Sequence, residues 1–301
     1  MTWRWQAMSA ELQSRNSDSL SELARERMRY SPAKPIFVAD WERVLMIHYE
    51  VEPQQLQAAV PFELDLHDGR TFVSLVAFTL SGMRPWHGGK LAAWLLKPIA
   101  THEFLNVRTY ARCDEEAGIY FVAEWLSNRF SVALGPKSFG LPYRFGSIKY
   151  DHRWADGVAH GRVEDGDRSS VLSYEAQFDA RCDLHGCDRG SLTEWLMERY
   201  TAFTSIGSKR RFFRVWHLPW PQVEARVTVS NRSLLERNWL CFREARIVSA
   251  NFSPGVRDVW MGRPLKVRQA IPRFLSDAKT AASSSFAKSP PKISSFSSLH
   301  R

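Results

Sequence analysis

The sequence predicts an α+β fold built on a large antiparallel, barrel-like sheet with a few helices. The first observation behind this prediction is that most apolar segments of residues 40–230 are rich in Val, Ile, Phe, Tyr and Trp. The second is that short turns containing Gly, Pro or acidic residues separate these segments. The third is that helical signals are few and that no interval of the chain repeats. Many antiparallel strands with few inserted helices favour one curved sheet.

The individual strands follow from composition and alternation. The alternation is clearest in residues 223–229, where Val223, Ala225 and Val227 are separated by polar residues, as in a half-exposed strand. The other strands are predicted at 41–49, 71–80, 104–113, 119–126, 171–180 and 211–218.

Helical signals occur at a few places. Ser191 and Glu194 form a capping box, after which apolar residues recur on one helical face as far as Phe203. A short helix is predicted at 53–60, after an N-terminal proline. Another is predicted from 127 to about 134, where Gly135 and Pro136 end or bend it.

The chain divides into three predicted parts. Residues 1–34 are interpreted as an N-terminal helical extension, because 11–29 are polar and helix-permissive and two prolines then close the segment. Residues 35–275 form the β-rich domain. Residues 276–301 are rich in serine and almost free of acid, so they are expected to be a disordered basic tail.

The formal net charge of +9 suggests a nucleic acid or an anionic surface as a partner until the charge is located along the chain. Residues 35–261 carry 27 basic and 27 acidic side chains, whereas 262–301 carry eight basic side chains and one acidic. The body is therefore neutral, and we predict no specific nucleic-acid binding. The tail is either solvated without a partner or in contact with an anionic surface.

Cysteine content and hydropathy bear on the compartment. Four cysteines are too few for a disulfide scaffold in a chain of this size. No uncharged apolar run approaches the roughly 18 residues of a membrane span, and the N-terminus lacks the apolar core of a signal peptide. The sequence therefore predicts a cytoplasmic protein without a transmembrane segment.

The usual motifs of nucleotide, metal or nucleophile chemistry are missing from the sequence. Cys182, His185 and Cys187 could supply three metal ligands, but their spacing matches no standard zinc site, and an ordinary polar loop is the other interpretation. We predict no metal and no cofactor.

Several segments together resemble a known family. They are WERVLMIHYEV at 41–51, HEFLNVRTY at 102–110 with GIYF at 118–121, LPYR at 141–144, LMERY at 196–200 and WHLPWP at 216–221. The set resembles the YqjF-like family, a domain of unknown function that is remotely related to acetoacetate decarboxylase. The resemblance covers about residues 40–235 and implies an acetoacetate decarboxylase-like fold.

The decarboxylase pattern can be compared with this chain position by position. Glu103 falls where that family has a Glu before a strand, Gly118 follows at a matching distance, and Gly135 occupies the helix-end glycine. The Arg-Glu pair that follows this glycine in the family is replaced by Pro136 and Lys137.

The two lysines that follow the family's proline differ in this chain. Pro142 matches the proline, but Tyr143 and Arg144 replace the lysines, the first of which forms the Schiff base in the family. A Schiff base needs a primary amine, which neither residue supplies. The resemblance therefore implies the fold and argues against the parent chemistry. Decarboxylase relatives also form oligomers, so it leaves a homo-oligomer open.

Glu103 is the first candidate for a catalytic residue. Strand alternation places it on the face of Leu105 and Val107, where a carboxylate is costly unless it is paired or protonated. It either lines a pocket or lies at the exposed start of its strand. Arg108, on the opposite face, is either a structural ion-pair residue or a substrate clamp.

His48 and His217 lie among apolar neighbours in the sequence pattern. Each is either a hydrogen-bonded core histidine or a residue that lines the pocket. The leading hypothesis is a small organic molecule, such as an organic acid, bound inside the barrel by Tyr143, Arg144, His48 and His217. A lyase or hydrolase reaction could then use Glu103 as general acid or base. The alternative is a structural or interaction protein with a filled barrel and a basic contact tail.

Overall fold

The computed structural model describes residues 20–30, 32 and 34–267, and at residues 30 and 137 it describes the backbone alone. The predicted tail at 276–301 and most of the predicted extension at 1–34 lie outside the described residues. Of the extension, helix α1 (Leu20–Tyr30) is described. It packs Ala24 and Met28 against Trp216, and the Ser21 hydroxyl donates to the His217 carbonyl at 2.6 Å.

The remaining helices are short and lie between strands. They are α2 (Pro53–Gln57), α3 (Gly89–Leu96), α4 (Arg129–Phe139), α5 (Leu192–Met197) and α6 (Ser233–Glu236), with 3-10 turns at Lys97–Ile99 and Leu240–Phe242. Two of these helices have side-chain N-caps: the Asn128 side chain accepts from two backbone N–H groups of α4, and Ser191 accepts from the Glu194 N–H.

The strands form one 13-stranded sheet. In chain order they are β1 (Pro35–Val51), β2 (Glu63–Leu64), β3 (Thr71–Pro85), β4 (His102–Cys113), β5 (Glu116–Leu126), β6 (Tyr143–Arg153), β7 (Val158–Asp165), β8 (Val171–Phe178), β9 (Thr201–Ile206), β10 (Lys209–Trp216), β11 (Val223–Asn231), β12 (Arg246–Gly262) and β13 (Leu265–Lys266).

The sheet closes into rings of strands. Its order is β13-β10-β9-β5-β6-β7-β8-β11-β12-β1-β3-β4-β2, with additional pairings of β10 with β12 and of β5 with β4. These pairings close a smaller ring through β5, β4, β3, β1, β12, β10 and β9. Most pairs are antiparallel, but β5 pairs in parallel with both β6 and β9. The predicted fold class, α+β with a large sheet and few helices, is confirmed.

Two apolar cores lie on opposite faces of the shared strands. In β4, Leu105 and Val107 belong to one core, whereas Phe104 and Tyr110 belong to the other, inside the smaller ring. This is the alternation that a strand dictates. Gly118 allows β5 and β9 to approach each other, because a Cβ at this position would lie 2.5 Å from the Thr201 carbonyl oxygen.

A β-bulge changes the alternation within β5. The register between β4 and β5 shifts between Val107 and Arg108, so that Val107 opposes Ala123 and Arg108 opposes Phe121. Val122 is the extra residue. As a consequence, Glu124 lies on the same face as Phe121, although strict alternation would separate them.

The structure extends and corrects the element predictions. The sequence did not predict strands β2, β6, β7, β9, β12 and β13. The helix after Ser191 ends at Met197, and Phe203 lies in β9 rather than on a helical face, because the chain turns into a strand. Helix α4 continues through Pro136 to Phe139 and is capped by Gly140, whose φ of 76° suits glycine. No helix among the described residues is long and apolar enough to cross a membrane.

Candidate functional site

A cavity of about 70 Å³ lies inside the smaller ring. Apolar side chains of the inner core form most of its wall. Polar and charged side chains complete it: Asn106, Arg108, Glu124, Tyr143, Arg199, Thr201 and His217. A small, mostly apolar cavity with a few converging polar groups is typical of a binding site.

Three of these polar residues form a row across the sheet. Asn106 on β4 pairs with Glu124 on β5, and Glu124 pairs with Tyr143 on β6. Opposed residues on neighbouring strands place their side chains side by side on one face. The amide, the carboxyl group and the phenol are therefore neighbours along one wall of the cavity.

Glu124 is a fully buried acid. Its side chain is 2% exposed, and its Oε2 atom has no hydrogen-bond partner. Desolvation raises the pKa of Glu124 well above its usual value. Burial therefore favours the protonated form of the Glu124 carboxyl group, in which it can donate a hydrogen bond.

Arg108 brings a positive charge into the cavity wall. Its Nη2 atom donates to the Leu196 carbonyl at 3.2 Å and lies 3.8 Å from the Met46 sulfur. No ion pair joins Arg108 to a carboxylate of the described residues, and its Nε atom is unpartnered. Burial lowers the pKa of Arg108 from its usual value. A buried and unpaired guanidinium favours the approach of an anion.

Glu198 is the acid whose charge acts on Arg108. Its carboxylate accepts from the Tyr200 hydroxyl and, at 2.8 Å, from the Trp220 backbone N–H. Burial raises the pKa of Glu198 to about 7, against the opposing effect of these hydrogen bonds. The charge beside Arg108 therefore changes within the physiological pH range.

Further polar atoms around the cavity lack protein partners. The indole Nε1 atoms of Trp41 and Trp220 and the Asn106 Oδ1 atom are buried and unpartnered. Indole and guanidinium nitrogens only donate, and a carboxyl group such as that of Glu124 can donate in its protonated form. The cavity wall is therefore rich in hydrogen-bond donors.

Tyr143 and His217 are the predicted site residues that line this cavity. The Tyr143 ring meets Phe104 edge-on at 5.9 Å, and burial, with the nearby Glu124, raises the pKa of its hydroxyl well above the usual value. The His217 Nδ1 atom donates to the Leu218 carbonyl at 2.7 Å, and burial lowers the pKa of His217 to about 4. Both side chains are neutral at pH 7.

Arg144 lies away from the cavity. Its Nη1 atom donates to the Asn238 Oδ1 atom at 2.6 Å, and its guanidinium lies over the Trp125 and Trp239 rings. Because successive residues of a strand point to opposite faces, Tyr143 and Arg144 cannot enter the same cavity.

Glu103 lies on the face that alternation predicts, with Leu105 and Val107, but the cavity is on the other face, with Asn106 and Arg108. Glu103 is half-buried at the start of β4. Its Oε2 atom accepts from the Ser127 hydroxyl at 2.6 Å. It is therefore not among the residues that line the cavity.

His48 lies behind the cavity wall. Its Nδ1 atom is 2.7 Å from the Ser74 hydroxyl, which is 2.5 Å from the Tyr110 hydroxyl. Tyr110 donates its single proton to the Leu196 carbonyl at 2.8 Å, so Ser74 donates to Tyr110 and His48 donates to Ser74. The chain ends at the carbonyl that Arg108 also contacts. Burial lowers the pKa of His48 to about 3.

A larger cleft of about 440 Å³ adjoins the cavity, and Arg199 and Thr201 line both. Helix α1 forms part of the cleft with Leu20 and Leu23. Arg199 is held by Asp65, with Nη1 2.9 Å from Oδ2, and its guanidinium lies 4.2 Å over the Trp195 ring. Arg199 thus separates the cavity from the cleft.

The predicted alternatives for Cys182, His185 and Cys187 can be compared with the structure. Among the described residues, no group of three or more His, Cys, Asp or Glu side chains is placed to hold a metal ion. The His185 Nδ1 atom lies 2.9 Å from the Gly186 carbonyl oxygen instead.

The family model of DUF2071, described as an uncharacterized conserved protein, matches residues 38–257. The chain belongs to the DUF2071 family. The protein YqjF of Bacillus subtilis (strain 168), itself described as uncharacterized, is 26% identical over 209 residues, which cover 68% of this chain and 82% of YqjF. The predicted resemblance to the YqjF-like family is confirmed.

Solved structures of acetoacetate decarboxylase-like proteins share the fold of this DUF2071 protein. An acetoacetate decarboxylase-like enzyme from Sphingomonas wittichii RW1 matches with a TM-score of 0.54 at 14% identity, over 79% of this chain and 95% of that one. The enduracididine biosynthesis enzyme MppR, in complex with pyruvate, matches with a TM-score of 0.51 at 12% identity, over 77% and 90%. At such identities the similarity establishes the fold alone.

Proposed function

We propose that this DUF2071 protein binds a small carboxylic acid, as its anion, in the cavity inside the smaller ring, without forming a Schiff base. Arg108 is the charge partner of the ligand. Protonated Glu124 and the indole N–H groups of Trp41 and Trp220 supply further hydrogen bonds. Tyr143 and His217 complete the wall as neutral side chains.

The observation that carries this proposal is the unpaired charge of Arg108. A buried guanidinium without a carboxylate partner costs several kcal/mol, and a bound anion would offset that cost. Guanidinium nitrogens also match the geometry of a carboxylate. The acid beside it does not compensate fully, because Glu198 is half-protonated near pH 7.

The donors around the cavity support the same ligand class. A carboxylate or keto acid offers only acceptor oxygens, and the wall offers mostly donors. The Asn106 amide can present either its oxygen or its nitrogen, since the two ends are interchangeable by rotation. The volume of about 70 Å³ corresponds to about two waters. It therefore suits an acid of the size of acetate or pyruvate.

A solved structure with a similar fold also supports a small carboxylic acid as the ligand. MppR, which shares the fold, is described in complex with pyruvate, a small keto acid. The same class of ligand is compatible with the cavity here on size and charge.

The second half of the proposal is the absence of Schiff-base chemistry. No lysine whose side chain the structure describes lines the cavity, and Tyr143 stands at the position that resembles the family's reactive lysine. If turnover follows binding, Glu124 is better placed than Glu103 to donate a proton, as a lyase or hydrolase would require.

The four cysteines are all unpaired, which supports a reducing compartment such as the cytoplasm.

The proposal is tested by calorimetric titration with formate, acetate, pyruvate and acetoacetate at constant ionic strength. We expect saturable binding of at least one of them, which Arg108→Met abolishes. Arg246→Met serves as the matched control, because that side chain is 77% exposed. Absence of binding across the series, or equal binding by Arg108→Met, would favour the alternative of an interaction protein with a filled interior.

A further inference from the structure

The segment between β3 and β4, residues 86–101, contains an exposed apolar helix. In α3, Leu91, Trp94 and Leu95 lie on one helical face and are 71%, 66% and 63% exposed. None of the residues of α3 is buried. Large apolar side chains grouped on a surface in this way commonly mark an interaction site.

Helix α4, which contacts the 3-10 turn that follows α3, carries two further exposed apolar side chains. Phe130 and Leu134 of α4 are one turn apart and are 67% and 54% exposed. A hydrogen bond joins the start of α4 to this turn, because the Asn128 Nδ2 atom donates to the Pro98 carbonyl at 2.7 Å. We refer to these five side chains, Leu91, Trp94, Leu95, Phe130 and Leu134, as the apolar face.

The charged residues of the two chain segments that carry the apolar face have one sign. Lys90 and Lys97 are exposed at the two ends of α3, and Arg129 is exposed at the start of α4. No Asp or Glu occurs in residues 69–102 or in residues 125–150. The two segments that carry the apolar face are therefore purely basic, although residues 35–261 as a whole are neutral.

We infer that the apolar face docks on an anionic lipid surface, with α3 lying in the interface. Leucine and phenylalanine side chains would enter the boundary of the acyl chains, and Trp94 would lie at the headgroup level. Lys90 and Lys97 are long enough to keep their ammonium groups among the lipid phosphates while their stems follow the apolar surface.

The charge pattern favours lipid over a second copy of this chain. In a two-fold contact the same patch faces itself, so the basic residues would oppose basic residues, with no acid in either segment to pair them. An anionic bilayer supplies the missing negative charge. The inference concerns a surface outside the cavity and goes beyond the proposed ligand binding.

The test is flotation of the full chain with vesicles of phosphatidylcholine alone and of phosphatidylcholine with phosphatidylserine, at about 0.15 M and 0.5 M salt. We expect binding to the anionic vesicles that partly survives the higher salt, because its apolar part is not screened. The double variant Leu91→Ser/Trp94→Ser should weaken this binding by about tenfold. The basic residues after 261 are unchanged in it, so it isolates the apolar face.

Leu240→Ser is the matched control, since Leu240 is 62% exposed and lies outside the apolar face. Lys90→Gln/Lys97→Gln should reduce binding to anionic vesicles while leaving the secondary structure unchanged by circular dichroism. Equal binding by wild type and the Leu91→Ser/Trp94→Ser variant would overturn the inference. So would a dimer, measured by light scattering, that this variant dissociates, because the occupant would then be a second copy.

Discussion

Gly135 of α4 lies directly against the ring of Tyr143, so closely that a Cβ atom at position 135 would be 2.1 Å from the Tyr143 Cε2 atom. No other residue type leaves room for the ring. The glycine therefore fixes how α4 packs on β6 and holds the phenol in the cavity wall.

Gly135→Ala should therefore destabilise the protein by about 1–3 kcal/mol, as overpacking does, and weaken carboxylate binding. In the Tyr143→Ala background the clash is gone, and alanine is the better helix former. There the same substitution should stabilise by up to about 1 kcal/mol. Urea unfolding of the four proteins checks this reversal of sign. Equal destabilisation in both backgrounds would show that Tyr143 is not what Gly135 accommodates.

Tyr143→Lys should introduce a trappable amine into the cavity. Burial would lower the pKa of the new lysine and leave it partly neutral. With pyruvate and borohydride, we expect a stoichiometric adduct by intact mass for this variant and none for wild type. Arg144→Lys is the matched control, because position 144 faces Asn238 instead. An adduct on the wild-type protein would contradict the absence of Schiff-base chemistry.

Substitutions to Gln and to Met distinguish the contributions of Glu124 and Glu103 to ligand binding. Glu124→Gln keeps a donor at the position of the protonated acid and should bind a carboxylate within about threefold of wild type, whereas Glu124→Met should bind at least about tenfold more weakly. Glu103→Gln and Glu103→Met should leave the affinity unchanged, because Glu103 bonds to Ser127 outside the cavity. An altered affinity in the Glu103 variants would instead support the role that the sequence predicts for this residue.

Carboxylate binding should strengthen as the pH falls from 8 to 6. Over this range Glu198, whose pKa is about 7, takes up a proton, so the charge of Arg108 is less compensated. His48 and His217, with pKa values of about 3 and 4, stay neutral throughout. We expect a gain of roughly threefold to tenfold in affinity, measured by calorimetry. Glu198→Gln should bind with the same affinity at both pH values, and a preserved pH dependence in that variant would exclude Glu198 as its source.

The same pKa shift has a consequence for stability. Because the folded-state pKa of Glu198 lies above its unfolded value, the folded protein retains a proton that the unfolded chain loses between about pH 4.5 and 7. This group therefore stabilises the fold below pH 4.5 and loses that contribution as the pH rises to about 7. We therefore expect the free energy of unfolding of Glu198→Gln, relative to that of wild type, to be higher at pH 8 than at pH 5. Urea unfolding of both proteins at each pH measures this difference.

Much of the sheet could be predicted from the sequence. The apolar strands that build the two cores, such as β3 and β4, have dense β-branched and aromatic composition and were predicted within a few residues. Strand β12 was not predicted; it contains Pro254 and Gly255, residue types that are typical of turns, and continues through them. At Gly255, with φ of 125°, a Cβ would lie 2.0 Å from the Trp41 carbonyl oxygen, so this glycine permits a close approach of the paired strands β12 and β1.

Strands β6 and β7 were missed for another reason. Their outer positions carry charged residues, and β7 contains Gly161, which leaves room for the Tyr174 ring, so neither segment has the composition of a strand. Their existence depends on partners that are distant in sequence.

The cavity was predicted in part. Tyr143 and His217 follow from resemblance and composition, and both line it. Glu124 could not be found by alternation, because the bulge at Val122 turns it to the face of Phe121. Arg108 was singled out with two roles open, and its lack of an ion pair becomes visible only when the strands are assembled.

The central claim is that Arg108 holds a small carboxylate inside the smaller ring. The most direct measurement is a crystal structure of the protein grown with pyruvate, at a resolution that distinguishes the planar ligand from waters. The account predicts a carboxylate in the cavity with an oxygen within hydrogen-bond distance of the Arg108 guanidinium and no covalent bond to the chain. A cavity that holds only water at saturating pyruvate, or pyruvate bound elsewhere on the protein, would contradict it.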